Sequence, residues 1–217
     1  MSSYSYLFLF SELLALITGT YFLQKIKNRF LCLYIYVAIG FATDALQAVL
    51  IINDLKNTLW LSHIYFPLEF VILTLFYIPY LAPVLKRKWI FLIMSVYMIF
   101  AVVNPLFMQS LKEYSQMRIY SSIILVVFSL IYFYRLMNEL DKSKLSVEPM
   151  VWVNASVLIL YSVIFFYNIL FNKLLEYSKE AISIVSGIMG CFISLFYITI
   201  AISFWKAGSQ KVEATIG

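Results

Sequence analysis

Apolar residues run in seven long stretches along this chain, separated by short polar connections: about residues 5–23, 30–52, 59–81, 89–107, 119–136, 150–171 and 182–205. Each is roughly 18–24 residues long, enough helix to cross a hydrocarbon core ~30 Å thick with some tilt. None alternates with the period of two that a spanning barrel strand of ~9–11 residues requires. The pattern predicts an all-α polytopic membrane protein. Residues 1–205 form a single domain of seven transmembrane helices, and residues 206–217 are a short cytoplasmic tail expected to be disordered. The longest connection runs from Met137 to Pro149, so no soluble domain is expected between helices. The first stretch is not expected to be a cleaved signal. Met1–Tyr4 holds no Lys or Arg, and Glu12 interrupts the apolar run.

Composition agrees with lipid as the solvent. Of 217 residues, 63% are hydrophobic and 12% charged, against roughly 45–50% and ~25% in soluble domains. The net charge of +5 reflects loop bias rather than nucleic-acid binding. Lys25, Lys27, Arg29, Lys86, Arg87, Lys88, Arg135, Lys142, Lys144, Lys206 and Lys211 fall on one side of the predicted topology, eleven in all. Lys56, Lys112, Arg118, Lys173 and Lys179, five in all, fall on the other. The positive-inside bias then places the N-terminus outside and the C-terminus in the cytoplasm. Cys32 and Cys191 both lie in apolar runs, where small thiols are ordinary, and neither a disulfide nor a metal is expected of them. The first three and last three helices show no recurring residue pattern of the kind that marks a duplicated transporter.

Three acids sit inside predicted helices: Glu12, Asp44 and Glu69. A carboxylate there costs several kcal/mol unless it faces the bundle interior, water or a partner. At 1.5 Å per residue their depths are ~10, ~12 and ~15 Å below the outer helix ends, a single layer in the outer half of the membrane. Gly40, Asp44 and Gln47 share one face of the second helix, and Tyr65 and Glu69 share a face of the third. His63 lies six residues from Glu69, about 120° around the helix, so no direct pairing is expected. It reads instead as an interfacial or capping group. Pro67 leaves the His63 carbonyl without its helical donor, which predicts a kink before Glu69.

The second half supplies the opposite wall. Asn104 precedes Pro105 near the outer end of the fourth helix, and Arg118 opens the fifth as the natural counter-charge for an acid. Asn154, Tyr161 and Asn168 recur at intervals of seven along the sixth helix. Ser183, Gly187, Gly190, Ser194, Tyr197 and Ala201 form a face of mostly small residues on the seventh, which suits close helix packing.

Catalytic signatures are sparse. One histidine excludes multi-histidine metal sites, and G-x-S-x-G, H-E-x-x-H, P-loop and dinucleotide fingerprints are missing. The predicted seventh helix has no Lys for a retinal Schiff base, which excludes the rhodopsin reading of seven helices with an outer N-terminus. HIYFPLEF (His63–Phe70) and WVNASVLILYSVIFFYN (Trp152–Asn168) resemble motifs in small seven-helix membrane proteins of bacteria that have no assigned activity. That resemblance implies a multi-pass protein of the bacterial cytoplasmic (inner) membrane and says nothing of substrate. PLEF (Pro67–Phe70) is also similar to the proline-acid-acid-aromatic stretch of membrane-bound carotenoid cyclases, with Phe70 standing where that stretch has its second acid.

The leading expectation is a binding protein, a sensor or a small-molecule or ion transporter. Its ligand-binding residues would be Glu12, Asp44, Gln47, Glu69, Asn104, Arg118, Tyr161 and Asn168. Three acids against one Arg favour a cation, an amine or a proton. No cofactor or metal is called for. A sensor with such short loops would need a membrane or cytoplasmic signalling partner. Two alternatives stay open: an intramembrane enzyme acting on a lipid or isoprenoid with Glu69 or Asp44 as general acid, and a scaffold subunit whose polar groups are satisfied internally.

Overall fold

A computed structural model describes residues 3–26, 28–53, 57–139, 148–174 and 179–216. The basic loop residues Lys27, Lys56, Lys142 and Lys144 lie outside the described residues. Seven helices are described: α1 (Ser3–Tyr21), α2 (Asn28–Ile52), α3 (Trp60–Leu81), α4 (Arg87–Val103), α5 (Met117–Glu139), α6 (Pro149–Leu174) and α7 (Lys179–Ile216). Six of them, α2 to α7, are long and apolar enough to cross a membrane, and α1 is a shorter apolar helix. Helix length and hydropathy thus make this a multi-pass membrane protein built as an all-α bundle.

Two boundaries differ from expectation, each for a local reason. α7 continues to Ile216, so the segment from Lys206 extends the last helix instead of forming a disordered tail. Its residues (KAGSQKVEATI) are mostly good helix formers, and a helix that leaves lipid need not stop there. The fourth apolar stretch is divided. Pro105 has no N–H to give the carbonyl four residues back, and the chain answers with a π-helical turn over Asn104–Met108. The turn closes with the Gln109 N–H donating to the Asn104 carbonyl at 2.9 Å.

α3 is the axis of the bundle. Its spanning window is 67% buried, against 17–39% for the other five spans. α2, α4 and α5 pack on it, and the ring closes through α5–α6, α6–α7, α7–α1 and α1–α2. α3 runs as one helix through Pro67 and Pro79. Inside lipid there is no hydrophobic force between helices, so close packing and interhelical hydrogen bonds must hold them. Aromatic rings supply the packing. Phe76 meets Phe30 of α2 and Tyr77 meets Phe128 of α5, while Phe70 meets Tyr97 of α4. The hydrogen bonds centre on Asn154 of α6, which accepts from Tyr77 Oη at 2.6 Å and donates to the Ser129 carbonyl at 3.1 Å. On α7, Gly187, Ser194, Tyr197 and Ala201 of the small-residue face are buried, while Ser183 is exposed. Phe10, Ile64, Ile99, Leu130, Ile159 and Leu195 project outward as a lipid-facing surface.

Candidate functional site

Four helices converge on Glu69, which α3 carries two residues after Pro67. Its Oε1 accepts from Tyr36 Oη of α2 at 3.2 Å and from Tyr161 Oη of α6 at 2.5 Å. Its Oε2 pairs with Arg118 Nη1 at the start of α5. The guanidinium also lies over two rings, Phe66 at 4.6 Å and Tyr161 at 5.4 Å from their centroids, which adds cation–π attraction to the ion pair. Glu69 is 2% exposed. Every charge in this cluster is answered, as a buried ion pair requires if it is not to cost stability.

The other two acids form a different arrangement. Glu12 of α1 is fully buried, and neither of its oxygens makes a hydrogen bond of normal geometry. Asp44 of α2 and Tyr197 of α7 lie beside it. Room for this contact comes from Gly40. A Cβ there would stand 2.9 Å from both Glu12 Oε1 and Tyr197 Oη, and 3.2 Å from Tyr65 Oη. Asp44, one turn after Gly40, lines a cavity of about 270 Å³. Tyr65, Phe66, Tyr114, Phe196 and Tyr197 form its aromatic walls, and Glu69 and Arg118 border it. Gln47 lies at its edge, with Nε2 donating to Thr58 Oγ1 at 3.4 Å.

The connection between the π-helical turn and α5 carries Tyr114 to the cavity. The Ser115 N–H donates to Ser62 Oγ at 3.1 Å, and His63 Nε2 donates to the Glu113 carbonyl at 3.0 Å. His63 therefore anchors a loop and does not pair with Glu69. Phe66 and Tyr114 meet edge to face.

Of the eight residues singled out in the sequence, Asp44, Gln47, Glu69 and Arg118 line the cavity. Glu12 stands behind Asp44, and Tyr161 reaches Glu69. Asn104 and Asn168 are placed elsewhere. Asn104 Nδ2 donates to Gln109 Oε1 at 3.0 Å within the turn, and Asn168 Nδ2 donates to the Ile164 carbonyl of its own helix at 2.8 Å. Neither closes a wall of the cavity. Two of the three acids, Asp44 and Glu69, thus border one cavity, and among the described residues no three His, Cys, Asp or Glu side chains gather as metal ligands. Tyr36 and Tyr114 were missed. Tyr36 was within reach, since Tyr36, Gly40, Asp44 and Gln47 follow at spacings of 4, 4 and 3 on one helix face.

Comparison with known proteins leaves the argument to this geometry: no family model matches the chain, and no curated protein and no solved structure matches it.

Proposed function

We propose that this protein binds a small organic cation in the cavity beside Asp44, acting as a sensor or transporter in a cytoplasmic membrane. The observation that carries the reading is a carboxyl pair, Glu12 and Asp44, that forms no ion pair among the described residues yet adjoins an aromatic-walled cavity. Arg118 is engaged by Glu69 and acts on Asp44 only at longer range. Rings and a carboxylate around one cavity are the chemistry that holds ammonium groups. About 270 Å³ is at the small end for ligand sites, which run ~300–1,000 Å³, so the occupant is small. With the basic loops inside, the cavity lies in the outer half of the bundle and draws its ligand from that side.

The intramembrane-enzyme reading needs a proton on Glu69 or Asp44. Glu69 is tied to Arg118 and two tyrosines, which leaves Asp44 as the acid that reading would have to use. The scaffold reading predicts no cavity, and one is present.

Titration calorimetry of the purified protein with tetramethylammonium and with benzylammonium tests the proposal. Saturable binding of either is expected, weakened at least tenfold in Asp44→Asn. An affinity unchanged in that variant, or no binding of either cation, defeats it.

A further inference from the structure

We infer that Glu12 and Asp44 hold one proton between them and release it to the water of the cavity when a cation enters, so that the site exchanges a proton for its ligand. The inference rests on the cation-binding reading and specifies its coupling.

The geometry begins with Glu12, fully buried, with both oxygens lacking a hydrogen-bond donor of normal geometry. Asp44 lies beside it and faces the cavity. Two adjacent carboxylates out of water do not both ionise, because each charge penalises the other and burial penalises both. A proton between them answers one oxygen of each. Tyr197 is the one other donor that reaches Glu12, and a single hydroxyl cannot answer the oxygens of both carboxyls. Tyr197 of α7 and Tyr65 of α3 face the pair as neutral hydroxyls, Tyr114 approaches Asp44 from its loop, and Arg118 of α5 is committed to Glu69. Tyr161 of α6 is likewise spent on Glu69.

Charge bookkeeping then favours exchange. With one shared proton the pair carries one negative charge, and the Glu69–Arg118 pair carries none. A monovalent cation against Asp44, with the O–H bond broken and the proton passed to cavity water, leaves two carboxylates and one cation. The net charge of the buried site is the same before and after. Binding without release would instead bring the cation to a pair still holding its proton, with half the attraction. Asp44, at the cavity wall, is the residue that trades protons with water; Glu12, behind it, keeps the second charge in place.

The test uses the full chain in lipid nanodiscs with tetramethylammonium, whose fixed charge carries no proton of its own. Infrared difference spectra read the C=O stretch of a protonated carboxyl, and a pH dye in weak buffer counts released protons. We expect a protonated-carboxyl band in the unliganded protein near neutral pH. It should be lost on saturation with tetramethylammonium, with about one proton released per cation. The affinity should rise about tenfold per pH unit while the pair holds its proton, the slope that one exchanged proton dictates. Asp44→Asn and Glu12→Gln should lose both the band and the release, and the wild-type protein decides the matter if either variant does not fold. A missing band, or cation binding with no proton released, overturns the exchange while leaving the binding site standing. A band with no calorimetric binding of tetramethylammonium or benzylammonium overturns the binding site, and the exchange falls with it.

Discussion

Glu69 and Glu12 are the same side chain, both buried, and the bundle treats them in opposite ways. Glu69 receives two tyrosine hydroxyls and a guanidinium from three other helices. Glu12 receives no hydrogen bond of normal geometry, only the approach of Asp44 and Tyr197. The first arrangement binds α2, α3, α5 and α6 together and fixes every charge. The second sets two carboxyls against each other beside a cavity, without a cation among the described residues to answer them. A carboxylate with complete partners reads as a structural tie, and one without them reads as a place kept for a ligand or a proton.

The largest effect should come from breaking the tie. Glu69→Gln or Arg118→Gln strands its partner's charge in the bundle and should cost about 3–5 kcal/mol. The double variant should recover much of that loss, because no lone charge remains. Glu12→Gln, by contrast, replaces one half of the proton-sharing pair by an amide that can itself donate to Asp44, and should leave the unfolding midpoint unchanged or raised. Thermal unfolding in detergent, followed by circular dichroism, measures all four. Equal destabilisation by Glu12→Gln and Glu69→Gln would erase the distinction between the two sites.

Gly40→Ala should have a smaller effect, and one confined to the second site. The new methyl group meets Glu12 Oε1 and Tyr197 Oη at 2.9 Å, so one or both must move. Overpacking of this kind costs about 1–3 kcal/mol. Because the displaced groups flank Asp44, tetramethylammonium affinity should fall as well. Adding Tyr197→Phe removes one of the two clashing oxygens and should restore part of the stability. No recovery would place the strain elsewhere in the α1–α2–α7 contact.

These contrasts were legible in the sequence to different depths. Helix positions followed from apolar runs of spanning length, because lipid imposes that length on any helix that crosses it. Arg118 as the counter-charge of an acid followed from the same ruler of 1.5 Å per residue, which brought it to the half of the bundle expected of Glu69. Depth says nothing of azimuth, however. Only packing decided that Arg118 answers Glu69 and leaves Asp44 and Glu12 to each other. Hydropathy was equally blind beyond the membrane: α7 continues to Ile216 on helix propensity, where apolar content no longer marks it. Tyr114 was hidden for a third reason, since its place depends on hydrogen bonds from a loop to Ser62 and His63 that no periodicity announces.

The smallest effect tests the stripe on α6, where Asn154, Tyr161 and Asn168 look equivalent at intervals of seven. The fold gives each a different task. Asn154 is buried, accepts from Tyr77 and donates to the Ser129 carbonyl, so Asn154→Ala removes two buried interhelical hydrogen bonds and leaves the Tyr77 hydroxyl with Ser129 Oγ alone. Losing hydrogen bonds of that kind costs about 0.5–1.5 kcal/mol each. Asn168 is half-buried and spends its amide on Ile164 of its own helix, a carbonyl that helical geometry already serves. Asn168→Ala should therefore change stability by no more than about 0.5 kcal/mol and leave tetramethylammonium binding untouched. A tenfold loss of binding in Asn168→Ala would show that the site extends along α6, beyond the walls formed by Tyr65, Tyr114 and Tyr197.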